Sequence, residues 1–232
     1  DYDKISARGY TFGYIGSVIL LVICLILIQM FDFFGFKDSK SATKFTFLLV
    51  GIWWIVFSQI TLYFLPQKAK KIKLNSKILS HGINELIKVW NYIKNVRNLK
   101  LYLFSYFFYS MGVQTIMLVA SYFGSKELNL DQDKLIFTIL IIQIIAIFGA
   151  YFFAYVSKMK GNKFSLVVMN IAWIFICFSA YFTTNESQFY FLAAAVGILM
   201  GGIQSLSRST FSKLIPSEIN DNASFFNFYA IS

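Results

Sequence analysis

Residues 135–157 read LIFTILIIQIIAIFGAYFFAYVS, 23 consecutive positions without a charge, bounded by Lys134 and Lys158. At 1.5 Å rise per residue, about 20 helical residues cross a hydrocarbon core about 30 Å thick. The stretch is therefore long enough to cross a bilayer. In lipid, backbone polar groups find no water, and a helix satisfies its own. The strict alternation of a barrel strand is absent. Outward from this stretch, windows 9–31, 45–67, 101–125, 164–185 and 187–207 are equally free of charge, each 21–25 residues long. The 32 charged residues of the 232-residue chain all fall between these windows. Six spans follow: Tyr14–Phe36, Phe45–Leu65, Leu101–Phe123, Leu135–Val156, Phe164–Thr184 and Phe189–Leu206. The predicted fold is an all-α polytopic transmembrane bundle. Apolar types make up 57% and charged types 14% of the chain, against roughly 25% charged in soluble domains. A soluble enzyme, a disulfide scaffold and a disordered tail are excluded.

The net charge of +10 raises nucleic acid as a partner, but the bases lie between spans and leave no basic–aromatic surface for RNA or DNA. They report orientation instead. Segments 1–13, 66–100, 157–163 and 207–224 carry sixteen Lys or Arg; segments 37–44, 124–134 and 185–188 carry five. Both ends are expected in the cytosol. Cys24 and Cys177 fall in separate apolar windows, and His81 is the single histidine, so neither a disulfide nor a metal site nor a cofactor is expected. There is no signal-peptide pattern. The chain opens at Asp1 and closes on FFNFYAIS (225–232), the start of another apolar run. This reads as a piece of a longer protein.

Between the second and third spans lie 35 residues, 66–100. Pro66 closes the second span, and Lys68, Lys70, Lys71, Lys73 and Lys77 follow. Leu79, Ile83, Leu86, Trp90 and Ile93 then repeat at spacings of 4, 3, 4 and 3, one apolar stripe of a helix. Lys88, Lys94 and Arg97 fall near or off that stripe, and Gly82 is a potential break. Two readings stand equal: a basic helix lying in the inner headgroup layer, or a helix packed beneath the bundle.

Gly9, Gly13 and Ser17, and Ala193, Gly197, Gly201 and Ser205, form ridges spaced by four. Such ridges let backbones approach closely, either as static packing or as a sliding interface between two halves. Polar side chains within spans face a cavity or another helix. The third span holds most of them: Tyr106, Ser110 and Gln114 share a face, with Tyr109 beside it and Thr115 following. Gln143 is mid-way along the fourth span and Asn170 in the first half of the fifth. Gln29 and Asp32 read as interfacial groups, with proton coupling the sharper alternative. No His, Lys, Arg or second acid lies deep in any span, and no catalytic constellation is present. Asn185-Glu-Ser187 matches a glycosylation sequon, read as chance.

Three stretches point further: Ser6-Ala-Arg-Gly-Tyr-Thr-Phe-Gly-Tyr-Ile-Gly16, Phe108-Tyr-Ser-Met-Gly-Val-Gln-Thr115, and Gly201-Gly-Ile-Gln-Ser-Leu-Ser-Arg-Ser209 followed by Phe225-Phe-Asn-Phe-Tyr229. In this order and spacing the chain resembles the vacuole-effluxer-like (autophagy-related permease) family of the major facilitator superfamily. The resemblance implies a twelve-helix transporter of which these spans correspond to helices five to ten and the start of eleven. Residues 1–65 are then the last two helices of the N-terminal half, 66–100 the cytosolic linker, and 101–232 the C-terminal half. Met111 stands where the motif often carries an acid. The loop motif of the superfamily is matched only in its bases and glycine, by Ser157-Lys-Met-Lys-Gly-Asn-Lys163.

The function so implied is alternating-access transport of amino acids or similar small polar solutes, with proton coupling one option. The full-length protein is expected as a monomer in a bilayer, the bacterial inner membrane by its Ile-, Lys-, Asn- and Phe-rich composition. The expected solute residues are Tyr109, Ser110, Gln114 and Thr115, with Gln143 and Gln204 next. Lys158, Lys160 and Arg208 are the expected inner gate, the lysines meeting Asp1 or Asp3. The alternative is a membrane scaffold or receptor without transport, whose polar stripe would face no void.

Overall fold

The computed structural model describes residues 2–64, 77–216 and 222–231. Pro66, the lysines at 68–73 and Asp1 lie outside these, as does the side chain of Leu79. The described residues form eight helices: α1 (Tyr2–Gln29), α2 (Ser39–Phe64), α3 (Lys77–Asn95), α4 (Arg97–Lys126), α5 (Gln132–Lys160), α6 (Asn162–Tyr181), α7 (Glu186–Leu214) and α8 (Asn222–Ile231). Six of them, α1, α2 and α4–α7, are long and apolar enough to cross a membrane. They carry the six charge-free windows.

The boundaries differ from the expected spans most at α1. It begins at Tyr2 rather than Tyr14 and ends at Gln29 rather than Phe36. Charge marks where hydrocarbon ends, and a helix can continue past that point with Lys4 and Arg8 in water. At the other end, the chain leaves the helix in turns closed by Gly35 N–H on the Asp32 carbonyl and Phe36 N–H on the Phe31 carbonyl.

The chain divides into two compact units, residues 16–75 and residues 1–15 with 76–232. In the first, the Asp38 carboxylate accepts the Ser41 N–H at 2.7 Å and caps α2. Along α2, Phe47, Leu48, Trp54 and Ile55 are more than half exposed, as expected of a helix whose solvent is lipid.

In the second unit α7 is central: 56% of its apolar window is buried, against at most 28% for any other span. Small residues make this possible. A Cβ built on Gly201 would overlap the Ala146 carbonyl oxygen, one on Gly149 would overlap that of Ile198, and one on Gly197 would lie 2.7 Å from that of Ile142. The partner of the α7 ridge is therefore α5, which meets it with its own small residues Ala146, Gly149 and Ala150, all buried. The ridge expected on α1 behaves differently. Nothing lies within 4 Å of a Cβ on Gly9 or Gly13. The face that α1 buries carries Asp3, Ala7, Thr11 and Tyr14 instead. Ridge spacing finds a line of small residues, not the side of the helix that meets a neighbour. Residues Ile142, Phe153, Leu166, Met169, Trp173 and Leu199 fill the core between α5, α6 and α7.

α3 runs unbroken through Gly82. Val89 and Ile93 are buried against Leu99, Leu103, Phe211, Phe225 and Tyr229. Packing on the bundle thus holds for one edge of the stripe, centred on Val89 and Ile93. The apolar arc is wider than one contact can cover, and Ile83 and Trp90 remain 57% and 44% exposed.

Candidate functional site

The polar face of α4 lines a cavity of about 180 Å³ walled by α1, α4, α7 and α8. α4 brings Tyr106, Tyr109, Ser110, Val113 and Gln114; α7 brings Ile203, Gln204 and Ser207; Tyr10 and Tyr229 complete it. The helical repeat puts these groups together: 106, 110 and 114 on α4 and 203 and 207 on α7 recur at one turn.

The hydrogen bonds define what the cavity offers. Ser207 Oγ donates to the Ile203 carbonyl of its own helix. Its proton is thereby used, so Tyr109 Oη, 2.7 Å away, is the donor in that pair. The Tyr109 oxygen keeps its lone pairs for an incoming donor. Tyr102 Oη donates to the Ser207 carbonyl at 2.6 Å and fixes the same turn of α7. Tyr14 Oη donates to Gln204 Oε1 at 2.7 Å. This orients the amide and leaves its N–H₂ for the cavity. Ser110 and Gln114 line the same space with further donors and acceptors. Aromatic rings close the walls: Tyr106 stacks on Tyr229 at 4.4 Å and meets Tyr109 edge-on at 5.5 Å. No acid is among the described residues that line the cavity. Arg208, exposed one residue beyond Ser207, is in electrostatic reach of Tyr10 and lies 5.5 Å over the Phe226 ring.

Of the six expected solute residues, Tyr109, Ser110, Gln114 and Gln204 come together here. Thr115 does not. One residue past Gln114, it turns toward a separate apolar cavity of about 430 Å³ between α4, α5, α6 and α7, and its hydroxyl donates to the Met111 carbonyl at 2.8 Å. Gln143 lines neither cavity, and its Oε1 is buried without a hydrogen bond among the described residues. Asn170 donates to Leu166 of its own helix at 2.9 Å. Asn185 is the N-cap of α7, accepting the Gln188 N–H at 2.9 Å, so its residue type has a structural reason. Tyr10, Ser207 and Tyr229 were not singled out by sequence. Ser207 lies one residue before Arg208 in the quoted motif, and position 207 is one turn from 203, which was the available signal.

A second cluster gathers at the end of the unit where α1 and α4 begin and α5 and α7 finish. Asp3, buried on α1, pairs with Lys213 Nζ of α7 at 2.7 Å. Its other oxygen accepts Asn162 Nδ2 at 3.0 Å, and Ser157 Oγ lies 3.1 Å from Oδ2. Asn162 also accepts Lys213 Nζ at 2.7 Å and donates to Thr210 Oγ1 at 2.9 Å. Asn162 reaches this point because a single residue, Gly161 at φ 86°, joins α5 to α6. That backbone region is open to glycine and costly for other residues. Asp3 meets Lys213 rather than Lys158 or Lys160; the other expected partner, Asp1, lies outside the described residues. Lys158 is exposed and Lys160 lies 5.8 Å over the Phe164 ring. At 100° per residue Lys158 lies about 100° from inward-facing Ser157, while Lys160, only about 60° from it, is taken up by the Phe164 ring instead.

The folded chain is an all-α transmembrane bundle of the major facilitator type, with a polar cavity in its apolar interior. It belongs to the family described as vacuole effluxer Atg22 like, which matches residues 1–232. It is 31% identical over 230 residues to the uncharacterized MFS-type transporter YxiO of Bacillus subtilis (strain 168), covering 99% of this chain and 53% of that protein. It is 25% identical over 254 residues to autophagy-related protein 22-1 of Emericella nidulans, covering 99% and 42%. With autophagy-related protein 22 of Saccharomyces cerevisiae it shares 21% over 262 residues, covering 98% and 48%. The chain spans about half the length of the curated relatives it matches. No solved structure matches it.

Proposed function

We propose that the protein is a secondary active transporter that works by alternating access and exports amino acids or similar small polar solutes. The observation that carries the reading is the cavity of Tyr109, Ser110, Gln114, Gln204 and Ser207, where Ser110 and Gln114, with no hydrogen bond among the described residues, and the spare N–H₂ of Gln204 line a void inside an apolar bundle. Buried polar groups are costly unless satisfied, and a polar solute would satisfy them. Family membership and the name of the Bacillus relative support the same reading.

In this reading α1 and α2 close the N-terminal half, residues 66–100 link the halves, and α4–α8 belong to the C-terminal half. The contacts of α1 with α7 then lie between the halves: Ser6 Oγ to the Ser205 carbonyl at 2.7 Å, Tyr14 to Gln204, and Asp3 to Lys213. Each is polar, and water can replace it when the halves part. A neutral hydrogen bond contributes about 1 kcal/mol net, so a solute with a modest preference for one state can shift the balance. The Asp3–Lys213–Asn162 cluster holds the basic end shut in the described state; Arg208, between that cluster and the cavity, stands at the passage from one to the other. The positive-inside count supports a cytosolic location for this end, and the Ile-, Lys-, Asn- and Phe-rich composition supports the bacterial inner membrane.

The test is transport of a labelled amino-acid panel by the protein encoded by the complete gene, in proteoliposomes with and without a pH gradient. Protein-dependent flux of one or more amino acids supports the reading, and a gradient effect would identify protons as the driving ion. No flux of any member removes the amino-acid assignment. A sealed, unlabelled cavity in the same preparation would favour a scaffold.

A further inference from the structure

We infer that the uncovered edge of α3 is a docking surface for an anionic lipid leaflet. The inference concerns a surface remote from the solute cavity and does not depend on what the cavity carries.

α3 buries only part of its apolar arc. At 100° per residue, Ile83, Ile87, Trp90 and Lys94 fall within about 60° of one another, next to the buried edge of Val89 and Ile93. Ile83, Ile87 and Trp90 are 57%, 50% and 44% exposed. Three large apolar side chains in a row on a soluble surface would be a liability. Here their depth explains them. The single extended residue Val96 separates α3 from α4, and the charge-free stretch of α4 begins five residues later at Leu101. The last turn of α3 is therefore tied to the boundary between water and hydrocarbon. The rest of α3 is held there too. Val89 and Ile93 pack on the first turns of α4, and Trp90 stacks on Phe228 of α8 at 5.8 Å while Tyr92 meets Phe225 edge-on at 5.6 Å. The helix is thus held against the entry points of two apolar segments. Tryptophan is enriched at that depth.

Charge selects the kind of leaflet. Residues 77–100 hold five Lys or Arg against one acid, Glu85. Glu85 is already engaged by Lys88 at 2.7 Å. Lys94, Arg97 and Lys100 are exposed, and among the described residues none of them pairs with an acid. Lys94 bends over the Trp90 ring, 5.2 Å from its centroid, so cation and indole share one edge. An apolar strip carrying unanswered cations fits acyl chains below phosphate headgroups of net negative charge. Each cation near an anionic leaflet strengthens attachment by about fivefold.

The experiment uses the protein encoded by the complete gene with its native cysteines replaced by serine. Ile87→Cys carries a polarity-sensitive fluorophore, and Asn84→Cys, exposed and about 100° round the helix from Ile83, serves as the control. Each is placed in nanodiscs of phosphatidylcholine alone and of phosphatidylcholine with phosphatidylglycerol. The expected result is a blue shift at position 87 that strengthens with phosphatidylglycerol and weakens with salt, while position 84 stays water-exposed. Adding Lys94→Gln and Arg97→Gln should remove the phosphatidylglycerol dependence, about fivefold per cation, with thermal stability unchanged. Three outcomes overturn the inference. A label equally water-exposed in both bilayers means that the edge faces water. A label shielded equally in both bilayers but unreachable by a lipid-attached quencher means that protein covers it. A shift indifferent to phosphatidylglycerol means that charge plays no part.

Discussion

Replacing Gly201 by alanine tests the α5–α7 seam with the smallest possible perturbation. The added Cβ would overlap the Ala146 carbonyl oxygen and lie 2.8 Å from the carbonyl carbon. Carbon atoms rest about 3.5–4.0 Å apart, so α5 must retreat by roughly 1 Å. A gap of that size forfeits a quarter to a half of each contact it opens. In lipid this loss is not recovered by hydrophobic burial, because helix association rests on close packing itself. The loosening spreads along the seam, since Gly149 and Gly197 press on backbone in the same way. Overpacking costs about 1–3 kcal/mol, and alanine returns about 1 kcal/mol of helix propensity. The net expectation is a loss of up to about 2 kcal/mol, or a Tm lower by up to roughly 6 °C. Gly112→Ala is the control: nothing lies within 4 Å of its Cβ, so Tm should hold or rise. The assay is thermal unfolding in detergent followed by tryptophan fluorescence, with Trp173 buried in this unit. A Gly201→Ala protein as stable as Gly112→Ala would refute the seam.

Other substitutions probe the two polar clusters. Asp3→Asn keeps the shape of the basic-end cluster and removes its charge; Lys213, 38% exposed, can turn to water, so the stability loss should stay near about 1 kcal/mol. Thiol labelling of Ser6→Cys from the basic end should rise several-fold in that background, and an unchanged rate would show that the cluster closes nothing. Tyr109→Phe deletes the donor to Ser207 and should raise the KM for the transported solute several-fold at nearly constant Tm; an unaltered KM would remove Tyr109 from the site. Gln143→Leu replaces an acceptor buried without a partner among the described residues and should raise Tm, by about 1 kcal/mol of stability. A fall in Tm would mean that the amide is bonded in the assembled protein.

The sequence made the spans legible because charge is expelled from hydrocarbon, and that rule needs no tertiary information. Helix ends were less legible for the same reason. The phenylalanine-rich stretch Phe31–Phe36, with Asp32 inside it, follows α1 without being helical, and the charged turn before Arg8 is helical without being apolar. On the site, the α4 face was readable because Tyr106, Ser110 and Gln114 recur at one turn. Its partners on α7 were harder to see, since Ser205, Ser207 and Ser209 look alike in sequence and only Ser207 receives Tyr109. The basic-end cluster shows the limit most clearly. Periodicity says which residues share a face, but not which face meets another helix. Lys158 and Lys160 follow from the loop resemblance, whereas Lys213 lies 210 residues from the acid that it pairs with and no spacing links the two.

The central claim is that the cavity between α1, α4, α7 and α8 opens to one side of the membrane at a time. A thiol-reactive probe that cannot cross lipid, applied in turn to either face of sealed vesicles, measures this directly on Ser110→Cys. With the basic end shut, the cysteine should react from the opposite face, and conditions that favour the other state should move its reactivity to the basic face. Reaction from both faces at once, or from neither under any condition, would contradict the account.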